Sequence, residues 1–298
     1  MTSNPRRVLV TGANKGIGRA TVAAILAERD DSHVLLGSRS LTRGQEARAE
    51  LLADHPDWES RLAVVEIDVG DEPSVAAASR TVAERFGQEP APLFGIVNNA
   101  GIGFGHDMRT VLNVNARGPK RVCEAFLPLV DPNEGRIVNI ASASGPMFVA
   151  ACSEERQTML TAPDVTWSPI EALMDECLRI EESGGDFAAA GLGEGSAYGL
   201  SKACLIAYTI ELARTHPSLT INACTPGFIE TDLTRPIATQ RGMEPSQMGM
   251  KPPEEGTLAV LRLLFGDPGG SGWYFGSDAE RSPLDRYRSP GDPPYTGD

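Results

Sequence analysis

Short apolar runs alternate with longer amphipathic segments along most of the chain, and this alternation restricts the possible folds more than any other feature. Near-continuous apolar strands separated by helices are what a parallel sheet with both faces covered requires. The pattern therefore predicts a doubly wound α/β fold with a seven-stranded parallel sheet. The apolar runs are 8–11, 33–37, 62–69, 93–98, 136–142, 219–225 and 273–275. The helical segments lie near 16–29, 42–53, 73–86, 110–130, 198–215 and 254–265.

Composition excludes several classes of partner. With 298 residues, 41% hydrophobic and 22% charged, the chain has the composition of an ordinary globular protein. A formal net charge of −13 argues against nucleic acid or an anionic membrane as a partner, because both repel an acidic surface. No apolar run approaches the roughly 18 residues of a membrane helix, and the N-terminal run reads as a strand rather than a signal sequence. The five cysteines include no Cys-x-x-Cys pair, so we expect free thiols, a cytoplasmic location and no metal site.

Two stretches interrupt the alternation. Residues 143–197 separate the fifth predicted strand from the next core helix, which is far too long for an ordinary connection. Part of this stretch has apolar residues at helical spacing, with Ser168 as a candidate N-cap, so we predict a helical insertion that ends in a flexible run, 184–195. The segment from Ser277 is rich in Pro, Gly and charge and is expected to trail over the surface or to be disordered. The prediction is one domain over 1–276 and a tail over 277–298.

A glycine-rich turn follows the first predicted strand. Glycines at this spacing let the backbone approach a pyrophosphate at a helix N-terminus, where unpaired N–H groups and the helix dipole favour an anion. Tight turns also use glycine for purely structural reasons, but the position directly after the first strand favours a dinucleotide site. The residues of the turn are Thr11, Gly12, Ala13, Asn14, Lys15, Gly16, Ile17 and Gly18.

The end of the second predicted strand distinguishes the two nicotinamide cofactors. An acidic residue there accepts hydrogen bonds from the ribose 2′-hydroxyl and repels a 2′-phosphate. Here that position has no acid but an arginine, Arg39, whose planar fork of donors suits phosphate oxygens. Lys15 in the glycine turn adds a second cation. Most surface cations are merely solvated, but two cations and no acid at the places where a 2′-phosphate lies favour NADPH.

Further cofactor contacts are expected after the third and fourth strands. In an open parallel sheet the ligand crevice lies at the carboxyl ends of the strands, so the residues at these ends converge on it. Those residues are Asp68, Val69, Asn99, Ala100 and Gly101.

A serine, a tyrosine and a lysine form the candidate catalytic group. Ser142 ends the fifth predicted strand, and Tyr198 and Lys202, at i and i+4, share one face of the following core helix. A tyrosine at its usual pKa of about 10 is a poor proton source, and a neighbouring ammonium lowers that pKa by stabilising the phenolate. The serine hydroxyl can hold the substrate oxygen. A Tyr-x-x-x-Lys pair alone is common on helix surfaces, but together with Ser142 and the glycine turn it is specific.

These motifs resemble the short-chain dehydrogenase/reductase family over roughly residues 6–276. TGANKGIG, NNAG, the Asn-x-x-Gly at 115–118, IVNIAS, YGLSK and PGFIETDL occur in the family's order. The resemblance implies a Rossmann-type fold in which Tyr198 is the general acid, Lys202 its pKa partner and a ribose ligand, and Ser142 the anchor of the substrate oxygen. It also implies that Asn115 orders a proton-relay water. The implied contacts to the nicotinamide and pyrophosphate are Pro226, Gly227, Ile229 and Thr231.

Within this family the chain is most similar to the monomeric NADPH-dependent carbonyl reductases. These share the NKGIG turn, a stretch like SRSLTRGQEA, and a long helical insertion before the catalytic tyrosine that covers the family's oligomerisation face. The resemblance implies a monomer that transfers hydride from NADPH to a small-molecule ketone, aldehyde or quinone. Only 13 residues, 102–114, separate NNAG from Asn115, which is shorter than the family pattern, so that wall of the substrate pocket is expected to differ.

Two alternative functions stay open. The same site can oxidise an alcohol, because the reaction runs in both directions. A non-catalytic NADPH-binding regulator is disfavoured, because a scaffold does not require the serine, the tyrosine and the lysine together. The substrate pocket is expected to include the insertion and residues 228–252, where Phe228, Met243, Met248 and Met250 offer adaptable apolar surface, although each also suits simple packing.

Overall fold

The computed structural model describes residues 5–297. Its centre is one sheet with the strand order β3-β2-β1-β4-β5-β6-β7-β8. The strands are β1 (Arg6–Val10), β2 (Ser32–Ser38), β3 (Leu62–Glu66), β4 (Leu93–Asn98), β5 (Arg136–Ile140), β6 (Thr220–Cys224), β7 (Tyr274–Phe275) and β8 (Arg281–Ser282). The helices are α1 (Gly16–Glu28), α2 (Leu41–Asp54), α3 (Glu72–Phe86), α4 (Met108–Leu112), α5 (Gly118–Phe126), α6 (Ser144–Ala150), α7 (Glu154–Thr161), α8 (Trp167–Ser183), α9 (Ala197–Thr215), α10 (Arg235–Arg241) and α11 (Leu258–Phe265).

The strands β1 to β7 are parallel, which confirms the predicted fold class. Successive residues of β1 belong to two separate apolar clusters, Leu9 to one and Val8 and Val10 to the other. Side chains alternate across a strand, so these clusters lie on opposite faces of the sheet. The strand order reverses between β1 and β4, and the crevice of a doubly wound sheet lies at that reversal.

Over residues 5–297 the sheet has eight strands rather than the predicted seven, and the additional strand comes from the C-terminal segment. This segment was expected to trail over the surface or to be disordered; the structure differs at its start, where β8 pairs antiparallel with β7. The buried Arg288 donates two hydrogen bonds, of 2.6 and 3.1 Å, to the carboxylate of Asp278. Arg281 stacks over the Trp273 ring at 4.0 Å. Composition misjudged the segment because a few specific polar contacts hold it rather than a large apolar surface.

The stretch 143–197 contains three helices, α6, α7 and α8, before α9 begins. The predicted insertion helix is α8, but it starts at Trp167, so Ser168 lies inside it and Thr166 is the N-cap. Neither α6 nor α7 was predicted; α7 buries a single residue, Leu160, so it carries no periodic apolar signal. Ion pairs of 2.6 Å fasten α8 to its neighbours, from Arg117 to Asp175 and from Arg156 to Glu176. Hydrogen-bonded turns form the run 184–195.

All five cysteines are buried and free. Burial raises the pKa of the Cys123 thiol to about 12, which keeps it protonated. Within residues 5–297, no cluster of three or more His, Cys, Asp or Glu side chains is placed to hold a metal ion. Over the same residues, no helix is both long and apolar enough to cross a membrane.

Candidate active site

The glycines of the turn between β1 and α1 allow a close approach of the backbone at the start of α1. Gly12 and Gly16 adopt positive φ angles of 63° and 56°. A Cβ at Gly12 would lie 2.8 Å from the Ala100 Cα, and one at Gly18 would lie 2.4 Å from the Asn99 side-chain nitrogen. Within the described residues, no side chain caps the start of α1. Its first N–H groups are therefore free to meet an anion, as the sequence predicts for Asn14 to Gly18.

Asn99 and Ala100, predicted as cofactor contacts, hold the glycine turn in place. The Asn99 side-chain nitrogen donates to the carbonyls of Thr11 and Gly12 at 2.9 and 3.2 Å. The Thr11 hydroxyl in turn accepts from the N–H groups of Asn99 and Ala100 at 3.0 Å each. These four bonds lock the end of β4 to the end of β1, so the two ends form one edge of the crevice.

The two predicted phosphate-binding cations have different surroundings. Arg39 directly follows β2, is exposed, and has no ion pair within residues 5–297. Lys15, by contrast, lies with its Nζ 2.5 Å from the Oδ2 of Asp232. The sequence reasoning missed Asp232, although it belongs to the PGFIETDL motif.

Asp68 and Val69 lie just beyond β3, as predicted, and both take part in local hydrogen bonds. The Asp68 carboxylate accepts from the N–H of Gly70 at 2.9 Å. The Val69 carbonyl accepts from Arg121 at 2.9 Å. Asn113 donates to the Gly70 carbonyl at 3.0 Å, which joins this turn to the helical segment that carries Asn115.

Ser142, Tyr198 and Lys202 converge at the carboxyl edge of the sheet. Lys202 donates from Nζ to the carbonyl of Ile140 at 2.8 Å, and this nitrogen lies 5.6 Å from the centre of the Tyr198 ring. The Ser142 hydroxyl donates to the Ser144 hydroxyl at 3.3 Å, and it lies close enough to the Tyr198 phenol to affect its pKa. The Ser142 oxygen also accepts from the N–H of Ser144 at 3.2 Å. The structure thus brings together three residues that the sequence separates by up to 60 positions.

The electrostatics of this group differ from the expectation that Lys202 lowers the pKa of Tyr198. Burial raises the pKa of the Tyr198 phenol, and the hydrogen bond from Ser142 opposes that rise. Burial also lowers the pKa of Lys202 to about 8. On raising the pH, the ammonium therefore loses its proton before the phenol does. In the ligand-free protein, burial rather than the nearby ammonium therefore sets the direction in which the pKa of Tyr198 shifts.

Asn115 lies in a π-helical turn, Asn113–Arg117, that joins α4 to α5. Its Oδ1 accepts from the N–H of Ile102 at 2.9 Å, and its Nδ2 donates to the Ile102 carbonyl at 2.8 Å and to the Ser201 hydroxyl at 3.1 Å. A Cβ at Gly101 would lie 3.4 Å from this Oδ1 and 3.6 Å from the Lys202 nitrogen, so Asn115 borders the site. Both side-chain N–H groups of Asn115 already donate hydrogen bonds, so a relay water at this side chain would have to donate to Oδ1.

The segment after β6 crosses to the glycine turn. A Cβ at Gly16 would lie 3.4 Å from the Thr231 methyl carbon. Pro226 and Ile229 are buried and contact Gly256. Gly227 has a positive φ of 95° and faces Ser277 at the start of the C-terminal segment, a contact that the sequence reasoning missed.

The apolar pocket candidates divide into exposed and buried residues. Phe228 and Met243 are exposed, as a substrate surface requires, whereas Met250 is buried and serves packing. The short connection 102–114 contacts this same segment, since a Cβ at Gly103 would lie 3.3 Å from Leu233. The two loops therefore pack against each other at Gly103 and Leu233.

Comparisons with known proteins give the family. The profile described as "short chain dehydrogenase" matches residues 6–154. The chain is 30% identical to (+)-neomenthol dehydrogenase of Arabidopsis thaliana, over 88% of this chain and 92% of that protein. It is 31% identical to human carbonyl reductase [NADPH] 1, over 91% and 95% of the two chains. Menthone neomenthol reductase from Mentha piperita superposes with a TM-score of 0.74 at 26% identity, covering 92% and 99%. The motifs, the sheet and these relatives agree: the chain belongs to the short-chain dehydrogenase family.

Proposed function

We propose that this protein is an NADPH-dependent reductase of carbonyl compounds that interconverts a ketone or aldehyde and the corresponding alcohol. The observation that carries the proposal is the convergence of Ser142, Tyr198 and Lys202 at the sheet edge where the glycine turn opens. Relatives whose names state carbonyl reduction with NADPH, and a neomenthol dehydrogenase, align with nearly the whole chain. Reduction of a carbonyl and oxidation of the corresponding alcohol are the two directions of one reaction.

The residues of the crevice fit an NADPH molecule. Gly12 and Gly18 leave no room for a Cβ, and the uncapped start of α1 offers N–H donors to a pyrophosphate. Arg39 follows β2 as an exposed cation, where an acid would repel a 2′-phosphate. Bound there, NADPH supplies the hydride. Lys202 and Asn99 border the same crevice. We propose that Lys202 binds the ribose hydroxyls.

The chain's own residues manage the substrate oxygen and its proton. Ser142 and Tyr198 are proposed to donate hydrogen bonds to one carbonyl oxygen, and the effect of Ser142 on the pKa of Tyr198 supports their proximity. Tyr198 then gives its phenolic proton to that oxygen as the alcohol forms. The resulting phenolate is stabilised by Lys202 when that lysine carries its charge. Negative charge held near the lysine raises its pKa above the value of about 8 that burial imposes, because an opposite charge favours the ammonium.

A turnover assay tests the proposal. Purified protein is incubated with NADPH and a panel of monoterpene ketones, aromatic aldehydes and quinones, and the loss of NADPH absorbance is followed. We expect saturable turnover of at least one class and an alcohol product that chromatography identifies. Binding of NADPH without turnover of any member of the panel would instead support the non-catalytic regulator.

We also propose that the protein acts as a monomer in the cytoplasm. The insertion helix α8 packs along α9 and α4, and its ion pairs to Arg117 fasten it there, so it covers a face of α9. Five free, buried thiols suit a reducing compartment. Light scattering at micromolar concentration tests the assembly, and a stable dimer or tetramer would contradict it.

A further inference from the structure

An ion pair spans the crevice between the glycine turn and the segment after β6. The Nζ of Lys15 lies 2.5 Å from the Oδ2 of Asp232, and both side chains are largely exposed, at 61% and 57%. Next to this pair, Thr231 contacts the position of Gly16. Lys15 and Asp232 are 217 positions apart in the chain, so their ion pair forms only because the fold brings the glycine turn and the segment after β6 together.

Lys15 is one of the two cations proposed to bind the 2′-phosphate, and in this structure it is already paired with the Asp232 carboxylate. Arg39 has no ion pair within residues 5–297 and is free to meet an anion. Lys15 must leave or share its carboxylate partner before it can bind a phosphate oxygen. The carboxylate also places a negative charge close to the incoming phosphate. The two cations therefore contribute differently to cofactor affinity.

We propose that Asp232 is a specificity-determining residue that competes with the 2′-phosphate for Lys15 and so limits the affinity for NADPH. This inference rests on the proposed NADPH-binding function. NADH has no 2′-phosphate, so its binding leaves the Lys15–Asp232 pair intact and does not depend on Asp232. The consequence is a protein that prefers NADPH yet releases it more readily than its two cations alone would allow.

Asp232 remains ionised while it competes. Its carboxylate receives hydrogen bonds from Lys15 and from Arg235, the latter at 2.7 Å. The hydrogen bond from Lys15 is the main reason that the pKa of Asp232 lies below its ordinary value. Exposed pairs of this kind are weak, so a phosphate displaces the carboxylate at a cost of only a few-fold in affinity.

Glu230 provides a matched control. It binds the same Arg235, at 3.0 Å, and its ion pair is with that arginine rather than with Lys15. Glu230→Gln therefore removes one negative charge from the same segment and one partner of Arg235, but leaves Lys15 paired. Any effect that comes from general charge or from Arg235 appears in this variant as well.

The experiment measures direct binding, without turnover, of two adenine nucleotides that differ only in the 2′-phosphate. Calorimetric titration of 2′,5′-ADP and 5′-AMP is carried out on the wild type, Asp232→Asn, Glu230→Gln, Lys15→Met and the double variant Lys15→Met/Asp232→Asn. We expect Asp232→Asn to bind 2′,5′-ADP about three- to fivefold more tightly, in line with the loss of one exposed ion pair, and to bind 5′-AMP as the wild type does. Glu230→Gln should match the wild type, and the double variant should match Lys15→Met.

Each other result has a definite meaning. Unchanged binding of 2′,5′-ADP by Asp232→Asn, or weaker binding of both nucleotides, would refute the proposed competition. Asp232 would then only hold the glycine turn and the segment after β6 together. An equal gain in Glu230→Gln, or a gain that persists without Lys15, also overturns it. A wild type that binds the two nucleotides equally removes the proposed 2′-phosphate site itself, which separates failure of the proposed function from failure of this inference.

Discussion

The ammonium of Lys202 donates a 2.8 Å hydrogen bond to the carbonyl of Ile140 at the end of β5, and lies 5.6 Å from the Tyr198 ring centre. Burial lowers the pKa of this ammonium to about 8. The fold thus maintains a cation where desolvation disfavours it, which is common where a charge serves function rather than stability.

Lys202→Met is expected to stabilise the ligand-free protein. At pH 7 the wild type keeps a buried charge, and its removal should raise the free energy of unfolding by about 2 kcal/mol after the loss of the hydrogen bond to Ile140. The folded pKa of about 8 lies below the ordinary 10.5, so the unfolded chain binds more protons between these values. Wild-type stability should therefore rise with pH across that window relative to the variant.

Urea denaturation of both proteins between pH 7 and 10 checks this prediction. The gain in stability should shrink as the pH passes through about 8 and wild-type Lys202 becomes neutral. A variant less stable than the wild type at pH 7 would show that the charge stabilises the ligand-free fold.

Tyr198→Phe should retain NADPH binding and lose at least about 10²-fold in kcat, because general acid catalysis typically contributes 10²–10⁴-fold. Tyr208→Phe is the control, since Tyr208 is a second tyrosine on α9, is buried and lies outside the site. Fluorescence titration of NADPH and steady-state rates are measured for both variants. More than about a tenth of wild-type turnover in Tyr198→Phe would mean that the proton comes from another group.

Arg39→Asp should abolish or invert the cofactor preference. We expect the wild type to favour NADPH over NADH by at least about tenfold in kcat/KM, because a charge-assisted phosphate contact contributes roughly 1.5–3 kcal/mol. The aspartate would repel the 2′-phosphate and accept hydrogen bonds from a ribose. Arg80→Asp on α3 is the control for the change in net charge. Equal use of both cofactors by the wild type would refute the role of Arg39.

Asp278→Asn should destabilise the protein by about 3 kcal/mol, because it leaves the buried Arg288 without its counter-charge. The Arg288 side chain is only 5% exposed in that pair. Asp285→Asn, in the exposed pair with Arg286, should change stability by less than about 0.5 kcal/mol. Chemical denaturation compares the two variants, and similar effects on stability would refute the anchoring role of Arg288.

Local pattern in the sequence determined the sheet and the catalytic group. Apolar runs predicted β1 to β7, and the spacing of Tyr198 and Lys202 predicted one shared helix face. These features depend on residues that are close in the chain, or on the general rule that parallel strands end at one edge, so they need no knowledge of packing. The seven parallel strands followed from that information, whereas the family and the roles of Ser142 and Tyr198 were implied by the resemblance of the motifs.

Only the tertiary structure decided which charges meet and how deeply they are buried. The Lys15–Asp232 pair and the Arg288–Asp278 anchor depend on contacts between segments that the pattern treats as separate. The pKa of Tyr198 rises because desolvation there exceeds the effect of its neighbours, and desolvation is set by the whole fold rather than by an i, i+4 spacing. Electrostatic energies depend on distance and solvent exposure in three dimensions, and neither quantity is encoded in a local motif.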